Sequence, residues 1–291
     1  THGRVWRMVR TDAPLSDVID VSTMDTDTLF TVLEHPERRT RDRARLALRR
    51  QPTDAVVEAA AHWTRRSIAT EHDQLEALWV LQHHDVVDVD QLKRVLASSD
   101  ARARAAGVRV LSAWADRLPN AMELLRAAAG DPAPRVRLEA VVAASWLDNL
   151  AGAEITLDVA QQEGDRTLDH VIEQTMVELA PYWTEALQAG WPYAQKHPNA
   201  IDDLLVNVST RELLRMQPLP AVQRALLMRS DAPAARRREA LDAVAGADAR
   251  SPGAAWLQEL LRDDARASGE SSAPGLLLAT MDTAELREIE G

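Results

Sequence analysis

The sequence predicts an all-α fold of stacked helix pairs, an α-α superhelix, on three observations. The first is a repeated signature: Arg102-Ala103-Arg104 and Arg135-Val136-Arg137 lie 33 residues apart, and each opens a run of small and apolar residues with the same spacing. These fall at Ala103, Gly107, Val110 and Trp114 in one copy and at Val136, Ala140, Ala143 and Leu147 in the other, so both series step by four, three and four. That spacing is one face of an α-helix, and its recurrence at a fixed period predicts a repeat array rather than a single globular core. The second observation is compositional. Ala, Leu and Arg, all strong helix formers, dominate the chain, and β-branched runs are short. The third is rhythm: from Asp25 onward, helix-length segments alternate with brief breaks marked by Pro, Asp, Asn or Ser.

The elements follow in order. Residues 1–10 alternate apolar side chains with Arg and predict a short strand-like tail; Asp12 to Thr23, with Pro14, reads as a linker. The first helix pair is expected over 27–34 and 37–50, after the turn at His35-Pro36, and the second over 53–66 and 71–84, where Leu75, Leu78 and Trp79 share a face. The third covers 90–97 and 100–117, and the fourth 120–129 and 132–149. Asp100 and Asp131 precede their helices, where a carboxylate accepts from free amides, and Pro119 and Pro132 sit at helix starts. A weaker fifth pair covers 153–162 and 167–179. Beyond Pro181-Tyr182-Trp183 the repeat blurs: helices are expected near 201–206, 210–215, 221–228, 234–245 and 254–263, broken up by prolines at 192, 198, 218, 220, 233 and 252. Residues 265–275 read as a flexible linker and 283–289 as a short closing helix. The expected domains are therefore 1–24, a tail with linker; 25–183, the repeat array; and 184–291, its irregular helical continuation.

Composition bounds the chemistry. The chain has no Cys, which excludes disulfides, thiolate metal sites, a Cys nucleophile and covalently attached c-type haem within these residues. Its longest apolar stretches fall far short of a membrane span, so no membrane insertion is expected. A start at Thr-His-Gly-Arg, without initiator Met or leader, reads as the middle of a longer chain. The net charge of −11 argues against a general nucleic-acid binder, but the charge is uneven. Residues 37–50 carry seven Arg against Glu37 and Asp42, whereas 151–210 carry ten acids against Arg166 and Lys196. The acidic stretch, with Asp158, Glu163, Asp165, Asp169 and Glu173 clustered across the fifth pair, is a candidate docking feature for a basic surface.

Asp131-Pro-Ala-Pro-Arg-Val-Arg-Leu-Glu-Ala-Val resembles the second helix of a HEAT repeat, with a shorter period than usual. Tetratricopeptide and ankyrin signatures are absent. In HEAT-like arrays such Asp and Arg residues bond between neighbouring repeats, and that role is expected of Arg102, Arg104, Asp131, Arg135 and Arg137. Over longer stretches, residues 1–8, 35–45, 75–88 and 131–144, ending at Leu179-Ala-Pro-Tyr-Trp, together resemble the central part of large exported bacterial membrane-bound dehydrogenases. Those join a sugar-dehydrogenase-like β-propeller to HEAT-like repeats and often a haem-binding c-type cytochrome domain. The resemblance implies that residues 1–10 are the last propeller strand and that the segment is an extracytoplasmic spacer. It carries no catalytic or haem-ligating residue onto this chain, because the propeller lies upstream and no Cys-x-x-Cys-His occurs.

Candidate site residues are few. His72, Glu76, His83, His84, Asp85 and Asp88 form the best metal candidate. On one helix His72, Glu76 and His83 lie within about 40° of azimuth, but Glu76 and His83 are about 10 Å apart along the axis. One ion cannot take all three, and capping or solvated roles are expected instead. Trp183 and Trp191 flank a proline-broken turn and would suit a stacking platform, but Trp side chains here are expected to pack between repeats. The Arg run over 38–50 could meet phosphates, as in HEAT-like glycosylases that handle alkylated bases, though such an enzyme also needs a catalytic acid on a basic concave surface. Triads, phosphate loops and paired catalytic carboxylates give no signal. No catalytic, cofactor-binding or metal residue is assigned. The expectation is a non-catalytic scaffold or protein-interaction segment, its partners being flanking modules of the same polypeptide or another protein; the alternative is a DNA-repair-type enzyme.

Overall fold

The computed structural model describes residues 18–66, 68–247 and 251–255, with a few isolated positions before them. Every regular element among the described residues is helical. The strand-like tail, the 265–275 linker, the 283–289 helix, Trp256 and most of the 254–263 helix lie outside the described residues. The chain divides into two compact units, Thr1–Glu139 and Ala140–Gly291, so the division falls inside a helix.

The N-terminal unit contains α1 (Thr26–Val32), α2 (Arg38–Leu48), α3 (Thr53–Thr64), α4 (Glu71–His83), α5 (Val89–Leu96), α6 (Ala101–Ala113), a 3₁₀ turn (Ala115–Arg117), α7 (Ala121–Ala129) and the start of α8 (Pro134–Ser145). Each helix packs on its immediate neighbours in sequence or on the next but one: α1 on α2 and α3, α4 on α3, α5 and α6, α6 on α5 and α7. Contacts of this short range are what a repeat array makes. Helix starts are set by side-chain caps: Asp25, Asp88 and Asp100 accept from amides of the first turn, and Thr70 and Asp73 close a reciprocal capping box on α4. Phe30 and Trp63 pack with ring centroids 5.3 Å apart among Leu29, Leu33, Leu48 and Val80, all buried. Gly107 lets α6 approach α5 closely, since a Cβ there would lie 3.1 Å from both Val95 and Leu96 side chains.

The Arg signature has a concrete structural use. Arg41, Arg104 and Arg137 stand at the fourth position of α2, α6 and α8, and each donates through Nη1 to two carbonyls of the preceding turn: His35 and Pro36, Ser98 and Ser99, Asp131 and Pro132. One guanidinium, buried in Arg137 and half-buried in Arg41 and Arg104, thus satisfies two carbonyls that the turn leaves open. A second set of bonds joins successive repeats. Arg45 of α2 forks onto Glu76 of α4, Arg109 of α6 onto Glu139 of α8, and Arg104 onto Asp131 at 2.7 and 2.8 Å. Glu71 at the start of α4 accepts from the Ser98 hydroxyl and the Ser99 and Asp100 amides ahead of α6. The expected inter-repeat role therefore holds for Arg104 and Asp131. Arg137 bonds within its own repeat, and Arg102 forms an exposed pair with Asp100 at 2.8 Å.

The C-terminal unit contains α9 (Leu150–Ala160), α10 (Arg166–Glu178), α11 (Ala180–Gln188), α12 (Pro192–Lys196), α13 (Pro198–Val206), α14 (Thr210–Leu213), α15 (Pro220–Leu227) and α16 (Ala234–Ala247). Here the proline reading needs correction. Pro192, Pro198 and Pro220 stand in the first turns of α12, α13 and α15, so they open helices rather than break them, as Pro181 opens α11. A proline in that turn loses no intrahelical bond. For the same reason α8 begins at Pro134 and not at Pro132. The unit's core runs from Ala153 and Leu157 through Trp183, Trp191 and Leu205 to Leu241. A buried pair, Asp202 with Arg224 at 2.8 Å, ties α13 to α15, and Arg229 donates to the Leu205, Val206 and Val208 carbonyls that end α13.

Candidate apolar groove and the fate of the predicted site residues

The structure gives most residues of the His-rich stretch a structural task. Glu76 is fully buried and bound by Arg45, with His72 Nε2 at 3.4 Å and Arg41 Nε at 4.0 Å. His84 bridges the Thr53 hydroxyl and the Leu48 carbonyl at 3.2 and 3.0 Å, tying α4 to the end of α2 and the start of α3. Asp88 caps α5, while Asp85 takes a left-handed turn conformation, φ 58°, and pairs with Arg117. Burial, then the charges of Arg49, Arg45 and His84, hold His83 below the usual imidazole range. Among the described residues no cluster of three or more His, Cys, Asp or Glu side chains has the geometry to hold a metal.

The tryptophans divide in two. Trp63, Trp114, Trp183 and Trp191 are buried; the indoles of Trp63, Trp183 and Trp191 donate to Glu34, the Met176 carbonyl and Glu154. Trp191 also stacks on Tyr193, and Tyr193 on His197. Neither Trp183 nor Trp191 is an open platform. Trp146, at 77% exposure, departs from core packing, as does Trp6 at 80%, while Trp79 is half-buried under the Arg45 guanidinium, 5.6 Å from the ring centroid. Of the seven arginines over 38–50, Arg41 and Arg45 are committed to turn carbonyls and Glu76, and Arg38 reaches Asp42.

Two concave surfaces bear on the residues singled out from the sequence. In the N-terminal unit a cleft of about 410 Å³ lies over α4 and α6, with Arg102, Arg109 and Arg135 facing Glu71 and Asp100 beside His72 and Trp79. Two of its three arginines are already paired, Arg102 with Asp100 and Arg109 with Glu139. Hydrogen bonds from Ser98 and Ser99 hold the Glu71 carboxyl at about 2, and the Arg102 side chain and amide hold Asp100 at about 2. The Glu71 bonds join two repeats, whereas the Asp100–Arg102 bonds are local to the start of α6.

The larger surface belongs to the C-terminal unit. A groove of about 550 Å³ is lined by α9, α10, α11, α13, α14 and the turn at 207–208. Leu157, Met176, Trp183 and Leu204 form a buried floor, half-buried Ile172, Val208 and Met216 the walls, and Val177, 68% exposed, stands on the lip. Four exposed carboxylates line it as well: Asp169 and Glu173, one turn apart on α10, with Asp203 of α13 and Glu212 of α14. No basic side chain is among the lining residues. Bonds from the Ser209 hydroxyl and amide hold the Glu212 carboxyl below its ordinary range, so it stays ionised. An apolar floor with convergent charge of one sign is the arrangement of a binding cleft, of ordinary ligand-site volume.

The structure separates the five acids of the candidate docking stretch. Asp169 and Glu173 line the groove, but Asp158 accepts from the Tyr193 hydroxyl at 2.7 Å and Asp165 caps α10. Glu163 is exposed away from the lining. Asp203, Glu212, Val177 and Met216 were not singled out from the sequence. The only local sign was Ser209-x-x-Glu212, a capping-box spacing that marks a helix start rather than a cleft. No helix of the described residues is long and apolar enough to cross a membrane. The chain matches no protein-family model and no curated protein sequence.

Proposed function

We propose that this chain is a non-catalytic helical scaffold that docks a protein partner, and the observation that carries the reading is the open apolar groove of the C-terminal unit. Its floor side chains are held by helix packing, so the surface is preformed and binding need not order it first. Glu76, His84, Asp85 and Asp88 of the His-rich stretch are meanwhile engaged in bonds within and between repeats. The resemblance to exported bacterial dehydrogenases supports a location outside the cytoplasm, and makes an upstream propeller and a downstream c-type cytochrome domain the first partners to test.

The experiment is direct binding of the purified chain to the purified modules encoded on either side of it in the gene, followed by calorimetry. The reading expects one-to-one binding at a Kd of about 10 μM or tighter, the range of specific transient complexes. The second reading, a nucleic-acid enzyme, rests on the exposed Arg38, Arg39, Arg49 and Arg50. Binding of duplex DNA at about 0.15 M salt, with an affinity that falls steeply as salt rises, would establish it and overturn the scaffold.

A further inference from the structure

We infer that the occupant of the groove is a basic amphipathic helix: an apolar stripe at i, i+3/i+4 and i+7, with Lys or Arg on both flanks. This rests on the scaffold reading and gives its partner a chemistry. The floor, Leu157, Met176, Trp183 and Leu204, demands an apolar face, because water left on it would forfeit the burial that drives such docking. The carboxylates decide what accompanies that face. Asp169 and Glu173 repeat at four residues along α10, so cations one helical turn apart would meet them in succession, while Asp203 and Glu212 come from other helices, α13 and α14, and offer further carboxylates to the same occupant.

Charge also sorts the candidate occupants. Residues 256–291 of this chain carry eight acids against three Arg and would set carboxylate against carboxylate; a second copy carries the basic helix α2, but the apolar face of that helix, Ala44 and Leu48, is already buried in its own unit. Nucleic acid is repelled by the same carboxylates. A cationic segment from another polypeptide, or from a module beyond these 291 residues, is what the electrostatics favour. A floor without a rim would accept any apolar helix, and a rim without a floor any basic loop; the two together select the amphipathic cation.

The test uses fluorescence anisotropy with a labelled leucine–lysine amphipathic peptide of about four helical turns and its leucine–glutamate counterpart. The intact chain should bind the lysine peptide, with affinity falling as salt rises, and ignore the glutamate peptide. Asp169→Lys with Glu173→Lys should weaken binding at least about tenfold and flatten the salt dependence, and Val177→Asp on the lip should cost a similar factor. The charge-matched control, Glu178→Lys with Glu185→Lys, should change the Kd less than about twofold. All five positions are exposed, so each variant keeps its fold, which circular dichroism at 222 nm verifies. Equal loss in the control would mean diffuse attraction to an acidic surface, and no loss with Val177→Asp would mean that the floor is not used; either overturns the inference. So does equal binding of the glutamate peptide, or no binding of the lysine peptide. A flanking module that still binds the chain in any of those cases leaves the scaffold reading standing.

Discussion

Replacing Glu76 by Leu is the sharpest test of how the repeats are held together. Glu76 is fully buried on α4 and accepts from Arg45 of α2 through both carboxylate oxygens, with Arg41 Nε 4.0 Å away. Leucine fills a similar volume but leaves two guanidinium groups, their side chains only 18% and 20% exposed, without their shared anion. Removing one partner of a buried pair costs about 3–5 kcal/mol. The structure argues for the lower end, because Arg45 keeps Asp42 and the Trp79 face and Arg41 keeps the His35 and Pro36 carbonyls. The expected loss is about 3 kcal/mol, or about 6–12 °C in melting temperature for a unit of this size. Arg45→Met combined with Glu76→Leu removes both charges and should recover all but about 1 kcal/mol. Urea unfolding of the two single variants and the double, followed at 222 nm, gives the coupling energy directly. A single-variant loss below about 0.5 kcal/mol, or strictly additive effects, would refute the claim that this pair couples α2 to α4.

Three further outcomes are expected. The Glu71 and Asp100 carboxyls, both held at about 2, contribute stability that is complete above the ordinary carboxylate range and is lost as pH falls through about 2; Glu71→Gln should flatten that acid limb, and an NMR midpoint of 4 or above for Glu71 would contradict its bonding to Ser98 and Ser99. Val136→Asp places a charge at a position 1% exposed, costing several kcal/mol; the cooperative unfolding of the N-terminal unit should be lost, and an unchanged melting temperature would put the register in error. In Gly152→Ala the new Cβ would sit 2.5 Å from the Ala144 carbonyl oxygen and 3.1 Å from Leu179; the C-terminal unit should lose about 1–3 kcal/mol, and a neutral result would show that α9 has room to shift away from α8.

What the sequence determined by itself was local and periodic. The apolar spacing placed Ala103, Gly107, Val110 and Trp114 on one buried face, and Val136, Ala140 and Ala143 on another, because a helix presents the same face every three to four residues whatever it packs against. Asp100 could be read as a cap, since a helix start needs an acceptor for its free amides. The tertiary structure alone decided the rest. Whether a proline opens or breaks a helix depends on where the chain before it comes from, which is why Pro192, Pro198 and Pro220 misled. Acidic residues adjacent in sequence took different fates, Asp158 to the Tyr193 hydroxyl, Asp165 to a cap, Asp169 and Glu173 to the groove. The groove itself draws on six helical and turn segments between Leu157 and Met216. No periodicity within one helix encodes a concavity, because a concavity is the space that several helices leave when their own burial is satisfied.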